Sequence, residues 1–185
     1  MKNLITKELL AEAENKYIEA ANESVLNEAF AAHTKRASLA TELTVFLSHK
    51  HTDSLLVRQA VALFKSLGVE VYIDWLDSSM PPVTDIRTAN RLKEKIRTCS
   101  KFVFLASDDA IASKWCNWEL GLGDAAKYLN NIAILPAGSR GKSWSGSEYL
   151  GIYPVITSEY QYHPGTYYVE FGTTSTPLKQ WLINR

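Results

Sequence analysis

The sequence predicts an α/β domain: a parallel sheet with helices on both faces. Three observations predict it. From Leu43 to Leu135, short apolar runs alternate with segments of helical period in the order β-α-β-α-β-α-β. The turns between them are short, as right-handed crossovers on one sheet require. The chain has 185 residues, 46% of them hydrophobic, which suits one domain that buries roughly 70% of its unfolded surface.

Residues 4 to about 33 read as one long helix. Ile5, Leu9, Ala13, Tyr17, Ala21, Val25 and Ala29 recur every four positions, with Leu10, Ile18, Leu26 and Phe30 beside them, and so form an apolar stripe. The acids Glu8, Glu12, Glu14, Glu19, Glu23 and Glu28 are expected on the solvated face. The polar stretch 33–41 is a hinge. The expected division is therefore residues 1–40 as N-terminal helix and hinge, and 41–185 as main domain with a C-terminal extension. This helix is expected to pack on the domain or pair with a partner.

Within the main domain, residues 43–47 are the first strand, and 48–53 a polar loop in which Asp53 is an expected N-cap. Residues 54–67 carry Leu55, Leu56, Ala60, Leu63, Phe64 and Leu67 at helical spacing, closed by Gly68. Residues 69–74 form the second strand and 75–82 a loop ending in Pro81-Pro82. A helix over about 84–98 leads to the third strand, 101–106. Ser113 caps a helix running to about Leu129, and 131–135 is the fourth strand. A loop over 137–146 follows, then strand-like stretches at 155–162 and 167–171. Ser175-Thr-Pro177 opens a C-terminal helix with Leu178, Trp181 and Leu182 on one face.

Composition removes several function classes. Twenty basic and twenty acidic residues give zero net charge, so binding of nucleic acid through bulk charge is not expected. Two cysteines, Cys99 and Cys116, make no disulfide framework. Acids throughout the first apolar stretch exclude a signal peptide, and no run approaches the ~18 apolar residues of a membrane span. A cytoplasmic protein without membrane attachment is expected. No G-x-G-x-x-G follows the first strand and no G-x-S-x-G occurs, which disfavours a dinucleotide-binding dehydrogenase and an α/β-hydrolase.

Ligands of an open parallel sheet bind at the carboxyl ends of its strands. The residues there are 48–53, 74–79 and 107–109, and the helix carrying Trp115, Cys116, Trp118 and Glu119 follows the last of them. Trp115 and Glu119 are four apart and share a helix face. His49-Lys-His51-Thr-Asp53 has the look of a metallohydrolase start, but a metal site needs a further ligand cluster; only His33 and His163 remain. No metal is therefore expected. Cys116 lacks a neighbouring histidine and reads as a packed cysteine. On spacing alone, Glu119 reads as a solvated helix acid.

Val45-Phe-Leu-Ser48 with Asp53, and above all Ser113-Lys-Trp-Cys-Asn-Trp-Glu-Leu120, resemble two boxes of the TIR (Toll/interleukin-1 receptor) domain family. Asp74-Trp-Leu-Asp-Ser-Ser-Met-Pro81 stands at the family's loop after the second strand, and with Glu148-Tyr-Leu-Gly-Ile-Tyr-Pro154 it is similar to a bacterial branch. Pro81-Pro82 replaces a Gly-containing stretch there, and Trp118 is bulkier than in animal members. The resemblance covers about residues 42–155. It implies a flavodoxin-like sheet of order 2-1-3-4-5. It also implies cleavage of the nicotinamide–ribose bond of NAD+, taken as substrate with no other cofactor, with Glu119 as catalytic residue.

By the same resemblance, Ser48, His49, Lys50, Asp74, Trp75, Asp77 and Trp115 are expected around the substrate. Ser48, His49 and Lys50 would meet ribose or phosphates. Trp115 would stack on a flat ring or shield the site. Asp74, Trp75 and Asp77 belong to the loop that in relatives reaches a neighbouring copy, which implies self-association. Bacterial members serve antiphage systems of the Thoeris type, where an ADP-ribose-derived signal activates a separate effector protein. With 185 residues, such an effector is expected on another chain. ADP-ribose, a cyclic isomer and a conjugate all remain open as products. The alternative is a TIR module that only oligomerises, and a third reading is a metallohydrolase using His49, His51 and Asp53.

Overall fold

The computed structural model describes residues 3–19, 43–81, 85–138, 148–159 and 166–184. The expected helix beyond residue 19 (with Glu23 and Glu28), the hinge, His33, Pro82, Trp144 and His163 lie outside them.

Five strands are parallel: β2 (Thr44–Ser48), β3 (Glu70–Tyr72), β4 (Lys101–Ala106), β5 (Ile132–Pro136) and β6 (Val155–Ser158). Their spatial order, β3-β2-β4-β5-β6, is 2-1-3-4-5 counted from Thr44. The sheet departs from the expectation by what is added at its far side. There β7 (Tyr167–Phe171) and β8 (Thr174–Pro177) extend it as an antiparallel hairpin, turned through Gly172 at φ 57°. Thr174–Pro177 is thus a strand, and the last helix, α6 (Leu178–Ile183), starts after Pro177 rather than at Ser175. The hydroxyl-rich Ser175-Thr176 pairs with Val169 and Glu170 of β7, and that pairing overrides its reading as a helix start.

Strand parity sorts the core into two halves. Val45, Leu47, Val71, Ile73, Val103, Leu105, Ala133 and Leu135 face α1 (Lys7–Glu19), α2 (Ser54–Ser66) and α6. Phe46, Tyr72, Phe102, Phe104, Ile132 and Ile134 face α3 (Ile86–Thr98), the short α4 (Asp108–Ala112) and α5 (Lys114–Lys127). Both faces are covered, so the strands read as continuous apolar runs. On the second face the Phe46 ring stacks on Tyr72 and on Phe102, each at 5.5 Å.

Helix ends follow local chemistry. Asp85 caps α3, accepting from the Arg87 and Thr88 amides at 2.8 and 3.2 Å, while Thr88 Oγ1 accepts from the Asp85 amide. Ser107 and Ser113 cap α4 and α5. The short α4 occupies the stretch read as a loop at 107–109. Gly68, at φ 79°, ends α2 as expected. Asp53, the expected cap of α2, makes no capping bond; its carboxylate accepts from the Ser107 hydroxyl instead. Helix α5 ends at Lys127, whose ammonium donates to the Arg97 and Cys99 carbonyls at the end of α3.

The N-terminal segment is built into the molecule. Strand β1 (Asn3–Leu4) pairs antiparallel with β6, and the Lys7 amide donates to Gly138 at 3.0 Å. Helix α1 lies on α2, burying Ile5, Leu10 and Ala13. Glu14 was expected on the solvated face. It is buried instead, and it pairs with Arg58 of α2 at 2.5 Å, because it sits on the side of α1 that meets α2. Among the described residues no helix is long and apolar enough to cross a membrane.

Candidate functional site

Ser48 ends β2 with the parity of Phe46, so its side chain enters the layer between sheet and α5. Glu119 enters the same layer from the second turn of α5, one residue before the core residue Leu120. The two meet there: Ser48 Oγ donates to Glu119 Oε2 at 2.6 Å, and both residues are buried. Glu119 is 3% exposed, so the solvated reading that spacing favoured is overturned. The helix turns this position inward, onto the strand end.

Burial pushes the Glu119 carboxyl up to about 8. The Ser48 hydrogen bond opposes that rise, the nearby Asp74 carboxylate adds to it, and a hydrogen bond from the Trp115 side chain opposes it. Glu119 makes no ion pair among the described residues. With its carboxyl raised to about 8, it holds its proton at neutral pH.

The loop after β2 is fixed on both sides. The Cys116 thiol donates to the His49 carbonyl at 3.2 Å, which ties the strand end to α5 one turn before Glu119. Burial pushes that thiol up to about 11, which fits a packed anchor and not a nucleophile. His49 Nδ1 lies 2.7 Å from the Leu47 carbonyl, and Nε2 lies 3.5 Å from Asp74. Burial holds the His49 ring below its usual value, against the opposing pull of Asp74. The His49 and His51 rings both meet Trp75 edge-on, at 4.3 and 4.9 Å. Lys50 stands between them at the start of the turn His51–Asp53.

Ser48, His49, Asp74, Trp75, Trp115 and Glu119 are thus brought to one edge of the sheet. Trp115 is 38% exposed and packs against Trp118 at 4.9 Å, so it forms the rim. Asp77 takes another direction. Its carboxylate accepts from the Ser79 amide at 2.9 Å, the Ser79 hydroxyl at 2.5 Å and the Tyr72 hydroxyl at 2.9 Å. Burial pushes the Asp77 carboxyl up, but the Ser79 and Tyr72 hydrogen bonds together hold it below the usual range. It shapes its own loop, which Arg91 of α3 braces through Ser79 at 2.9 Å.

His49, His51 and Asp53 do not converge. The first two turn to Trp75 and the third to Ser107, and among the described residues no group of three ligands could hold a metal. Cys116 is packed as expected, but its bond to the His49 carbonyl and the joining of Ser107 to Asp53 were not foreseen. Neither leaves a signal in spacing, because each contact spans more than fifty residues. Asn117, on the other face of α5, joins that helix to its neighbours: its side-chain amide donates to the Ile111 carbonyl, and its oxygen accepts from the Tyr149 hydroxyl.

Comparison with known proteins identifies the family. A protein of Bacillus cereus (strain MSX-D12), named probable 3' cyclic ADP-D-ribose synthase ThsB', is 34% identical over 116 residues, covering 60% of this chain and 59% of that protein. A protein of Cytobacillus dafuensis with the provisional name cyclic ADP-D-ribose synthase TIR2 is 29% identical over 79 residues, 41% of this chain and 21% of that protein. The chain therefore spans about three-fifths of one relative and a fifth of the other. The family model described as TIR domain matches residues 45–148, from the strand that delivers Ser48 to beyond the helix that delivers Glu119. The chain belongs to the TIR domain family.

Proposed function

We propose that this chain cleaves the nicotinamide–ribose bond of NAD+ and closes the remaining ADP-ribose into a ring. The observation that carries the proposal is the buried Glu119 carboxyl, held by Ser48 at 2.6 Å and without an ion pair among the described residues. NAD+ brings the positive charge that this carboxyl lacks. As the C–N bond breaks, its electron pair goes to the nicotinamide nitrogen and a neutral base leaves, so the departure needs no general acid. The positive charge passes to the ribose, as in glycoside cleavage. A fixed Glu119 carboxylate stabilises it there.

The cationic nicotinamide also lowers the Glu119 pKa on arrival, so binding expels the proton and arms the group. Cyclisation follows when a hydroxyl of the adenosine half attacks the ribose carbon. The C–O bond forms, and its proton passes to the Glu119 carboxylate. Both relatives carry cyclic ADP-D-ribose synthase in their names, which supports ring closure over hydrolysis. Ser48 and His49 are the groups for the ribose, Lys50 for phosphate, and Trp115 for a flat ring. Self-association through the 74–80 loop, and an effector protein reached through the nucleotide signal, complete the reading for antiphage defence.

Mass spectrometry of an NAD+ reaction tests the product. The proposal predicts a species equal to ADP-ribose less one water, together with free nicotinamide. ADP-ribose alone would exclude ring closure, and unconsumed NAD+ under all assembly conditions would favour the scaffold reading.

A further inference from the structure

Far from Glu119, at the amino-terminal edge of the sheet, a cavity of about 380 Å³ opens between the start of β4, the turn before β5, the β7–β8 hairpin and α6. Lys101, Asn130, Asn131, Asn184, Thr174 and Trp181 supply most of its chemistry, and among the described residues no Asp or Glu lines it. Lys101 is 2% exposed. Its ammonium donates to the Asn131 side-chain oxygen and sits 4.8 Å from the centre of the Trp181 ring. It makes no ion pair among the described residues.

The basic neighbour Lys127 adds like charge, and its own ammonium is committed to backbone carbonyls. A buried cation without a carboxylate is unfavourable unless an anion from solution shares the site. Burial pushing the Lys101 amine down to about 8 reports the same imbalance. The size falls in the range of small-molecule sites. The absence of acids argues against a metal ion or an amine, and the indole wall favours a flat body.

We propose that this cavity binds a small organic anion, a carboxylate or phosphate on a flat body, through the Lys101 ammonium and the carboxamides of Asn130, Asn131 and Asn184. The site is independent of the NAD+ reading, since it lies at the opposite edge of the sheet.

Nitrogen-15 NMR of the full chain tests it, with AMP, benzoate and adenosine as probes. The signals are the three asparagine side-chain amides and the Trp181 indole N–H, which donates to the Asn130 carbonyl at 2.8 Å. The Trp115 indole reports separately on any binding near Glu119. At least one of the two anions should shift the cavity signals saturably, and adenosine should not. Lys101→Met should weaken that binding at least tenfold. Should Lys101→Met fail to fold, Thr174→Glu, at an exposed position on the rim, should weaken it several-fold by repulsion. No saturable shift with either anion, equal shifts from AMP and adenosine, or undiminished binding in Thr174→Glu would overturn the proposal.

Discussion

A carboxyl group raised from 4.5 to about 8 by burial fixes the sign of two pH dependences. The first concerns activity. On the proposed function the ionised form stabilises the ribose cation, so kcat/KM for NAD+ should climb about tenfold per pH unit below 8 and level off above it. Ser48→Ala removes the hydrogen bond that favours the ionised form. Its pH profile should move to higher pH, with activity lost at pH 7 and largely recovered at pH 9, whereas simple misfolding would depress the whole profile. The second dependence concerns stability. Between pH 4.5 and 8 the folded protein holds a proton that the unfolded chain has lost, so this group's contribution falls as pH rises through that window. Glu119→Gln should therefore melt at increasingly higher temperature than the parent from pH 5 to 8, with a constant gap beyond. At a domain of this size each kcal/mol is worth about 2–4 °C. A parent and variant with parallel melting profiles would show that Glu119 is not raised. None of this was legible in spacing alone, which made Glu119 a surface acid. The resemblance of the 113–120 box implied a role for it, and the fold shows why it is buried: position 119 faces the end of β2.

At the scale of elements, the site depends on α5 lying close to the sheet, and two glycines measure that closeness. A Cβ at Gly123 would meet the Phe102 ring at 2.9 Å, while one at Gly121 would meet nothing within 4 Å. Gly123→Ala should therefore destabilise by about 1–3 kcal/mol through overpacking. Gly121→Ala should stabilise by roughly 0.5–1 kcal/mol through helix propensity. Urea melts of the two variants check this pair, and equal effects would contradict the packing described. The Cys116 thiol is the second tie. Cys116→Val removes its bond to the His49 carbonyl and should cost about 1–2 kcal/mol; NAD+ turnover should fall with it, since Ser48 is the next residue back along the strand. Cys116→Ser, which keeps a donor, should preserve most of both. The element order from β2 to β5 was legible because helical spacing and short apolar runs do not overlap. Strand parity could also have been read: Phe46, Tyr72, Phe102 and Phe104 share one face, and Val45, Leu47, Val71, Val103 and Leu105 the other. Strand β7 was legible at 167–171, but its hairpin partner β8 was not. Strand β8 is polar and edge-lying, so it carries no apolar alternation.

For the whole molecule, the described N-terminal segment is paired and packed onto the sheet and α2. Ile5 and Leu10 are each 1% exposed, β1 pairs with β6, and Glu14 and Arg58 lock α1 to α2. Leu10→Ala should cost about 2–4 kcal/mol. Removal of residues 1–19 should lower the melting temperature of the entire domain in a single transition. A truncated protein that melts as the parent does would contradict this. The amphipathic pattern announced a helix here but not its direction of packing. A stripe says which face is buried, and only the fold says that α2 covers it and that Glu14 goes in with it. The same closure by distant parts creates the Glu119 site, where a strand end, a helix turn and two loops meet. Nicotinamide release from NAD+ by the full chain and by Glu119→Gln, followed from pH 6 to 9, tests the central claim most directly. The account predicts release that rises through pH 8 in the parent and, in the variant, falls at least about a hundredfold at pH 8 and above, with a gap that narrows towards pH 6. Equal release by a folded Glu119→Gln protein would contradict it.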